Sequence, residues 1–456
     1  MSDVRRALPS VSSLLSDVAI AALEQRAPRT LVVRATRGAI EAVRCGDDPA
    51  PSDAAGWLAR IVDELALIER ASLRPVFNAT GVVLHTNLGR APLAEEAIAA
   101  MGRVASGFSN LEYDLAAGAR GSRHSHCVAL LRELTGAEDA LVMNNCAAAL
   151  VLALRAHARD REVIVSRGEL VEIGGSFRIP DILGTSGARL VEVGTTNRTY
   201  ARDYLAALSD NTGALLKVHR SNFAIEGFTT EASLAELASV AQRRGVPLMH
   251  DFGSGLMVDL SPFGLRGELT APDAISAGAD LVVMSGDKLL GGPQSGIILG
   301  TAAAVEPLRR DPMARALRVD KLTLSALEAT LALYRDTESA LRRVPALRML
   351  TEPVESVRAR ATEVAELLMA AGVPCSVEDS TATVGGGAFP TSQIPSASVV
   401  LAGSPDALDA RLRAAETPVV ARVADGRLWC DLRSVPEAHT RAFGRALTRA
   451  VTRALQ

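Results

Sequence analysis

The chain has 456 residues, of which 48% are hydrophobic and 22% are charged, and its formal net charge is −3. This length predicts about two to four domains. The charge balance does not indicate a nucleic-acid-binding protein as a whole, so any RNA contact must be local. The five cysteines lie far apart without a C-x-x-C pair, which argues against a zinc site. Their odd number and a start without a secretion signal predict a cytoplasmic protein.

The first 72 residues carry apolar side chains at helical spacing. Two stretches show it: Leu14, Val18 and Ala21, and then Trp57, Ile61, Leu65 and Ile68. The loop GDDPAPSDAAG lies between them, with Asp53 or Ser52 as the cap of the second helix. We therefore predict a helical domain over residues 1–72. The pattern alone indicates no function for it beyond packing.

Residues 73–340 alternate short β-branched runs with helical stretches. The predicted strands are Ala140–Met143, Glu162–Ser166, Arg189–Val193, Ala214–His219, Pro247–Asp251, Asp280–Ser285 and Gly296–Leu299, and the predicted helices are Ala147–Arg159, Asp203–Leu208 and Ala232–Arg244. This alternation favours an α/β large domain with a mostly parallel sheet covered on both faces, whose last strand pair is antiparallel. The apolar run Ala147–Leu154 is far shorter than the ~20 residues that span a bilayer, so we expect no membrane contact.

Residues 341–456 indicate a smaller α+β domain. Its predicted elements are a helix at Glu355–Ala371, a strand at Ser398–Leu401, and two strands at Val419–Val423 and Leu428–Leu432. The last two strands flank Asp425-Gly426, a pair typical of a tight β-hairpin turn.

A glycine-rich turn carries one of the only three lysines, Lys217, Lys288 and Lys321. In SGDKLLGGPQSG a strand delivers Lys288 into the turn, where glycines allow the backbone to approach closely. A lysine that forms a Schiff base must be partly desolvated, and a strand end under a tight loop provides that. The alternative is a surface lysine in a hairpin.

An aspartate ends an earlier apolar strand. In PLMHDFGSG this is Asp251, and pyridoxal 5′-phosphate (PLP) needs such a partner to keep its ring nitrogen protonated. The carboxyl edge of an α/β sheet is also where ligands bind. The alternative is an aspartate that caps the next helix.

Asn144 and Asn145 follow another strand and precede an alanine-rich helix. Small residues at a helix start expose backbone N–H groups that, with the helix dipole, suit the cofactor phosphate. Asn144 is alternatively a plain helix cap. Together with Asp251 and Lys288 on later strands, these residues predict a PLP site.

Arginines in two segments suit phosphate-like anions, because the guanidinium group binds them bidentately. Arg90 follows the apolar run in FNATGVVLHTNLGRAPL, and Arg315 and Arg318 lie three residues apart on one helical face. The alternative for the latter pair is a structural salt bridge with Asp320.

Longer motifs extend over nearly the whole chain. They are FNATGVVLHTNLGRAPL, SRGELVEIGGSFRIPDI, GTTNRT, KVHRSNF, HDFGSG, SGDKLLGGPQSGIILG and ALRVDKLTLSALEATL. In these motifs the sequence resembles the bacterial selenocysteine synthases, the L-seryl-tRNA(Sec) selenium transferases. The resemblance implies a fold-type I PLP-dependent transferase that converts seryl-tRNA(Sec) to selenocysteinyl-tRNA(Sec) with selenophosphate, through an aminoacrylyl intermediate.

The resemblance also implies residue roles and partners. Lys288 matches the lysine that holds PLP and Asp251 the aspartate of DFGSG, whereas Arg90, Arg315 and Arg318 match arginines that serve the selenophosphate-like donor. The resemblance further implies that the N-terminal helical domain binds the selenocysteine tRNA. It also implies that the chains assemble as a homo-oligomeric ring of dimers. One departure is Cys146, where the family usually has a third asparagine, so we expect no polar cofactor contact there.

Two other functions remain open from the sequence. One is a PLP-dependent lyase acting on a small amino acid or an amino-sugar phosphate, which would not need the N-terminal helical block. The other is a non-enzymatic RNA-binding or scaffold protein, against which Lys288, Asp251 and the asparagine turn count.

Overall fold

The computed structural model describes residues 8–46, 49–175 and 177–452, and the chain divides into two compact units, residues 1–75 and 76–456. The first unit contains α1 (Val11–Leu15), α2 (Val18–Ala21), α3 (Arg29–Cys45) and α4 (Ala54–Glu69). Trp57, Ile61 and Leu65 are buried in its core, and Asp53 caps α4 by accepting a hydrogen bond from Gly56 N. The helical character predicted for this segment is confirmed; residues 1–7 and 47–48 of the predicted domain lie outside the described residues.

The second unit holds two large sheets and two short hairpins. Its strands are β1 (Phe77–Ala79), β2 (Val82–Leu84), β3 (Tyr113–Asp114), β4 (Ala119–Arg120), β5 (Asp139–Met143), β6 (Glu162–Ser166), β7 (Glu172–Ile173), β8 (Phe177–Arg178), β9 (Arg189–Val193), β10 (Thr212–Val218), β11 (Leu248–Gly253), β12 (Leu281–Ser285), β13 (Gly296–Gly300), β14 (Cys375–Gly385), β15 (Ile394–Leu401), β16 (Val419–Ala424) and β17 (Arg427–Asp431).

The helices of this unit cover the sheets. They are α5 (Glu95–Ala105), α6 (Val128–Thr135), α7 (Cys146–Ala158), α8 (Ile179–Ser186), α9 (Ala201–Ala207), α10 (Leu234–Gln242), α11 (Ala271–Ser276), α12 (Ala302–Arg310), α13 (Met313–Ala316), α14 (Lys321–Leu333), α15 (Thr337–Arg343), α16 (Pro345–Thr351), α17 (Val354–Ala370), α18 (Pro405–Ala414) and α19 (Thr440–Thr452). Within the described residues, none of the helices is both long and apolar enough for a membrane span.

The seven-stranded sheet has the order β5-β13-β12-β11-β10-β6-β9. Neighbouring strands from β12 to β9 run parallel, and β13 is antiparallel to both β12 and β5. Except for the edge strand β9, its strands are buried on both faces, which explains their nearly continuous apolar sequence. The predicted mostly parallel sheet and its antiparallel pair are therefore confirmed.

The six-stranded sheet has the order β1-β16-β17-β15-β14-β2. The predicted hairpin turn is confirmed, because Asp425 and Gly426 both have positive φ (52° and 67°), as that turn type requires. The division of this unit at residue 340 stays a prediction, and the structure departs from it in one respect. Strands β1 and β2 pair with β16 and β14, although they lie more than 290 residues earlier in the chain.

The register of both sheets brings four chain segments to one edge. Gly296 pairs with Ser285 on one side and with Met143 on the other, so the turn that carries Lys288 lies beside Asn144. In the second sheet β2 and β14 end together and lead into residues 85–91 and 386–389. Ala91 N donates a hydrogen bond to Asp287 O at 3.3 Å, which ties the first of these segments to the same turn.

Candidate active site

Lys288 lies in the turn between β12 and β13, with only 7% of its surface exposed. The alternative of a surface lysine in a hairpin is therefore wrong. A Cβ built on Gly387 would lie 3.5 Å from Lys288 Nζ and 3.0 Å from Ser221 Oγ. The absence of a side chain at Gly387 thus keeps open a space beside the amine.

Asp251 lies inside β11 rather than at a helix start, so the helix-cap alternative is wrong. A Cβ built on Gly253 would lie 3.9 Å from Asp251 Oδ1 and 3.7 Å from Lys288 Nζ, so both groups border one small space. Burial raises the pKa of Asp251 to about 6, and the Lys288 ammonium and a Cys146 hydrogen bond oppose that rise. The Cys146 thiol donates this bond to Asp251 Oδ1 at 3.9 Å, so Cys146 contacts the carboxylate.

Asn145 is the N-cap of α7, and its side-chain oxygen accepts a hydrogen bond from Ala148 N at 2.9 Å. Asn144 is exposed, and its backbone N donates to Leu317 O at 2.9 Å. A Cβ on Gly296 would lie 2.1 Å from Asn145 O, which explains the glycine at the start of β13. The start of this 13-residue helix is therefore held at the sheet edge with small residues around it, as an anion site requires.

Arg90 lies beside the Lys288 turn. Its Nη1 forms an ion pair with Asp287 Oδ2 at 2.9 Å, and Asp287 also accepts a hydrogen bond from Ser285 Oγ at 2.5 Å. Arg90 adopts a left-handed backbone conformation with φ of 59°, which non-glycine residues rarely adopt. The structure thus brings Lys288, Asp251 and Arg90 together.

Arg315 and Arg318 line a cleft of about 300 Å³ that Arg120, Arg123 and Arg309 also line. The salt-bridge alternative is not supported for Asp320, which instead caps α14 by accepting from Leu322 N and Thr323 N. Arg318 forms an isolated β-bridge with Met143, the residue before Asn144. The cleft therefore begins next to the asparagine turn, whereas Arg90 lies at the Lys288 turn.

His219, Ser221 and Glu268 also border this region, and the sequence analysis assigned them no role. Burial and the Lys288 charge lower the pKa of His219 to about 4, so its ring is neutral at pH 7. Burial raises the pKa of Glu268, whose Oε1 accepts a hydrogen bond from Phe389 N and lies 3.6 Å from His219 Nε2. Two features of the sequence could have pointed to this region. They are the run Gly385-Gly386-Gly387 and the histidine in KVHRSNF.

The described residues fit PLP in three independent respects. A buried lysine amine and a buried carboxylate border one space, and the start of a long helix lies at the same sheet edge. Ser221 Oγ is buried and has no hydrogen-bond partner among the described residues, so a polar group is available there for a ligand. Asp251 suits the ring nitrogen, Lys288 suits the aldehyde, and Asn144 and Asn145 suit the phosphate.

Comparisons with known proteins point to one family. The family profile described as L-seryl-tRNA selenium transferase matches residues 76–436, and that described as selenocysteine synthase N terminal matches residues 5–44. The L-seryl-tRNA(Sec) selenium transferase of Geobacter sulfurreducens is 50% identical over 443 residues, covering 94% of this chain and 95% of the relative. That of Solidesulfovibrio magneticus is 48% identical over 464 residues and covers 99% of each chain.

Among solved structures, one described as D-glucosaminate-6-phosphate ammonia-lyase matches with a TM-score of 0.58 at 23% identity, covering 84% of this chain and 97% of that one. At this identity the likeness concerns the fold alone. Fold and site together define a PLP-dependent enzyme of fold type I, as predicted. Within that class, the chain belongs to the L-seryl-tRNA selenium transferase family.

Proposed function

We propose that this chain converts seryl-tRNA(Sec) to selenocysteinyl-tRNA(Sec), with selenophosphate as the selenium donor. The observation that carries the proposal is the buried Lys288 amine, which borders one space with the Asp251 carboxylate near the start of α7. Membership of the L-seryl-tRNA selenium transferase family supports the choice of substrate.

Four residues hold the cofactor in this proposal. Lys288 would hold the cofactor aldehyde through its amine, Asp251 would face the ring nitrogen and favour its protonated form, and Asn144 and Asn145 would hold the phosphate at the start of α7. When bound, PLP withdraws electrons from the substrate Cα, which makes the Cα proton acidic and allows the β-hydroxyl group to leave.

Lys288 is the group that moves the Cα proton in this proposal. Its amine is the basic side chain that borders the space next to Asp251 and Ser221, and a general base must lie within hydrogen-bond reach of the proton it accepts. Asp251, with a pKa of about 6, is mostly ionised at pH 7 and so can hold the ring-nitrogen proton.

The anionic donor binds, in this proposal, through Arg315 and Arg318, whose cleft begins beside the asparagine turn. Arg90 would act from the other side, near the Lys288 turn, where Asp287 orients it. Guanidinium groups suit a phosphate-like donor because they bind its oxygens in pairs.

The finer assignments of partners belong to the same proposal. The helical unit of residues 1–75 binds the tRNA, the chains assemble as a ring of dimers, and the enzyme works in the cytoplasm. The match of residues 5–44 to the selenocysteine synthase N-terminal profile supports a family-specific role for this unit.

The deciding experiment is turnover of seryl-tRNA(Sec) with selenophosphate by the PLP-loaded protein. A gel shift with selenocysteine tRNA against ordinary serine tRNA separates this function from a small-molecule lyase. Borohydride reduction followed by peptide mapping should find the pyridoxyl group on Lys288, and the chain has only two other lysines, Lys217 and Lys321. A label on either of those lysines would refute the site.

A further inference from the structure

A second cavity, of about 300 Å³, lies beside β11, where His250 and Phe252 line it. Asp251, which lies between these two residues in the strand, does not line the cavity. Residues 217–220, 223–225, 266–269 and 389–392 form its remaining walls. The proposed cofactor residues Lys288, Asp251, Asn144 and Asn145 do not line it.

Two of the cavity walls lie close in sequence to residues that border the Lys288 amine. His219, on one wall, precedes Ser221 by two residues, and a Cβ built on Gly387 would lie 3.0 Å from Ser221 Oγ and 3.5 Å from Lys288 Nζ. Phe389, on another wall, follows Gly387 by two residues, and Gly387 borders the amine directly. A ligand in this cavity would therefore lie next to the reacting end of the site.

The charges on the cavity wall largely neutralise one another. Lys217 Nζ lies 3.0 Å from Glu169 Oε1 and 3.7 Å from Glu231 Oε2, and Arg220 pairs with Glu231 at 3.0 Å. With Glu268 as a further carboxyl group, this wall does not suit a free anion. At the exposed rim, Arg266 offers a cation to a phosphate.

The interior instead offers aromatic surface and unused hydrogen-bonding atoms. Phe223, Phe252 and Phe389 line the cavity, and aromatic rings stack on nucleic acid bases. His250 is 3% exposed, and neither its Nδ1 nor that of His219 has a hydrogen-bond partner among the described residues. Neutral imidazoles of this kind match the hydroxyl groups of a ribose or the edge of a base.

We propose that this cavity receives the 3′-terminal adenosine of the aminoacyl-tRNA. This inference rests on the proposed function, because the ester joins the ribose to the seryl group and so holds the nucleoside only a few bonds from the Cα. His219 and His250 bind the nucleoside, Phe223 stacks at the mouth, and Arg266 meets the phosphate that leads to the next nucleotide.

Adenosine binding to the PLP-loaded protein, measured by calorimetry, tests the subsite without any turnover. We expect Phe223→Ala to weaken adenosine binding about tenfold, since loss of a stacking ring has an effect of that order. The matched control is Phe263→Ala, because Phe263 is 43% exposed, Phe223 is 39% exposed, and Phe263 does not line the cavity. No measurable adenosine binding, or equal binding by both variants, would overturn the subsite.

Steady-state kinetics with seryl-tRNA(Sec) give the second readout. We expect Phe223→Ala to raise KM by about tenfold with kcat changed less than about twofold, and its lysine-bound cofactor absorbance to stay the same. An unchanged KM in an active enzyme overturns the subsite but leaves the proposed function intact. Lack of turnover by the wild-type protein instead overturns the proposed function, and the adenosine titration still decides on the cavity.

Discussion

Asp251 is a carboxylate in an environment that works against its charge. Burial raises its pKa from the ordinary value of 3.8 to about 6, and the Lys288 ammonium and the Cys146 thiol compensate only in part. At pH 7 the folded protein therefore keeps a buried negative charge, which the cofactor ring would offset. Active sites commonly hold such groups at the expense of stability.

We expect Asp251→Asn to stabilise the cofactor-free protein at pH 7. A carboxyl group with a raised pKa binds its proton more tightly in the folded state, so its ionisation destabilises the fold at pH values above 3.8, fully so above about 6. At about 1.36 kcal/mol per pKa unit, the gain is at most about 3 kcal/mol. Thermal unfolding should show a higher Tm for the variant at pH 7 and a smaller difference at pH 4.5, and a gain independent of pH would contradict this account.

Arg315 gives a prediction about the donor. Because a hydrogen bond to a charged group contributes about 1.5–3 kcal/mol, Arg315→Ala should raise the KM for selenophosphate about 10- to 100-fold. The KM for seryl-tRNA(Sec) should change little. Arg342→Ala is the control, because Arg342 is an exposed arginine paired with Glu338 and does not line this cleft. If the two variants had equal KM values for selenophosphate, Arg315 would not be part of the donor site.

The site was only partly predictable at the level of single residues. The candidate residues Lys288, Asp251 and Asn145 were accessible because each lies near the end of a strand with a recognisable apolar pattern, and the ends of parallel strands meet at one edge. The contact between His219 and Glu268 was not predictable. It joins the end of a strand to a loop, and no local sequence pattern indicates that these two segments meet. The contact between Cys146 and Asp251 also depends on the helix start crossing over β11.

At the scale of elements, the end of β14 is as important to the site as the strand ends of the large sheet. Gly387 follows this strand with φ of 77° and borders Lys288 Nζ and Ser221 Oγ. A side chain there adds two effects, which are backbone strain and loss of space beside the amine.

We expect Gly387→Ala to lower cofactor retention, whereas Gly372→Ala should not. Both glycines have φ of 77°, so the backbone strain of about 1–2 kcal/mol is matched. A Cβ on Gly372 meets nothing within 4 Å, so only the Gly387 variant also fills the space beside Lys288. Dialysis followed by the visible absorbance of bound cofactor measures the difference. Equal retention by the two variants would show that this space is not part of the cofactor site.

The elements of the large sheet were predicted almost to the residue, and those of the small sheet less well. Glu162–Ser166 agrees at both ends because the middle of this buried parallel strand is continuously apolar. Arg189–Val193 also agrees at both ends, although it is a partly exposed edge strand. Strand β14 was missed because CSVEDSTATVG alternates polar residues without a long apolar run. The pairing of β1 and β2 with C-terminal strands was missed as well, because local patterns carry no information on such distant partners.

At the scale of the whole molecule, the proposed cofactor residues lie outside the helical N-terminal unit, in the second compact unit. Lys288, Asp251 and Asn145 belong to residues 76–456, and so do both large sheets. The N-terminal unit has its own buried core around Trp57, Ile61 and Leu65. This separation suggests that cofactor binding and tRNA binding can be lost independently.

We expect residues 76–456, expressed alone, to bind PLP on Lys288 but to lose affinity for selenocysteine tRNA. The cofactor residues and their supporting strands all lie in this unit, whereas the proposed tRNA-binding helices are removed. Visible absorbance and peptide mapping measure the first property, and a gel shift against the full chain measures the second. The adenosine subsite also lies within residues 76–456, so adenosine should bind this fragment as it binds the full chain. Undiminished tRNA binding by the fragment would assign tRNA recognition to the catalytic unit instead.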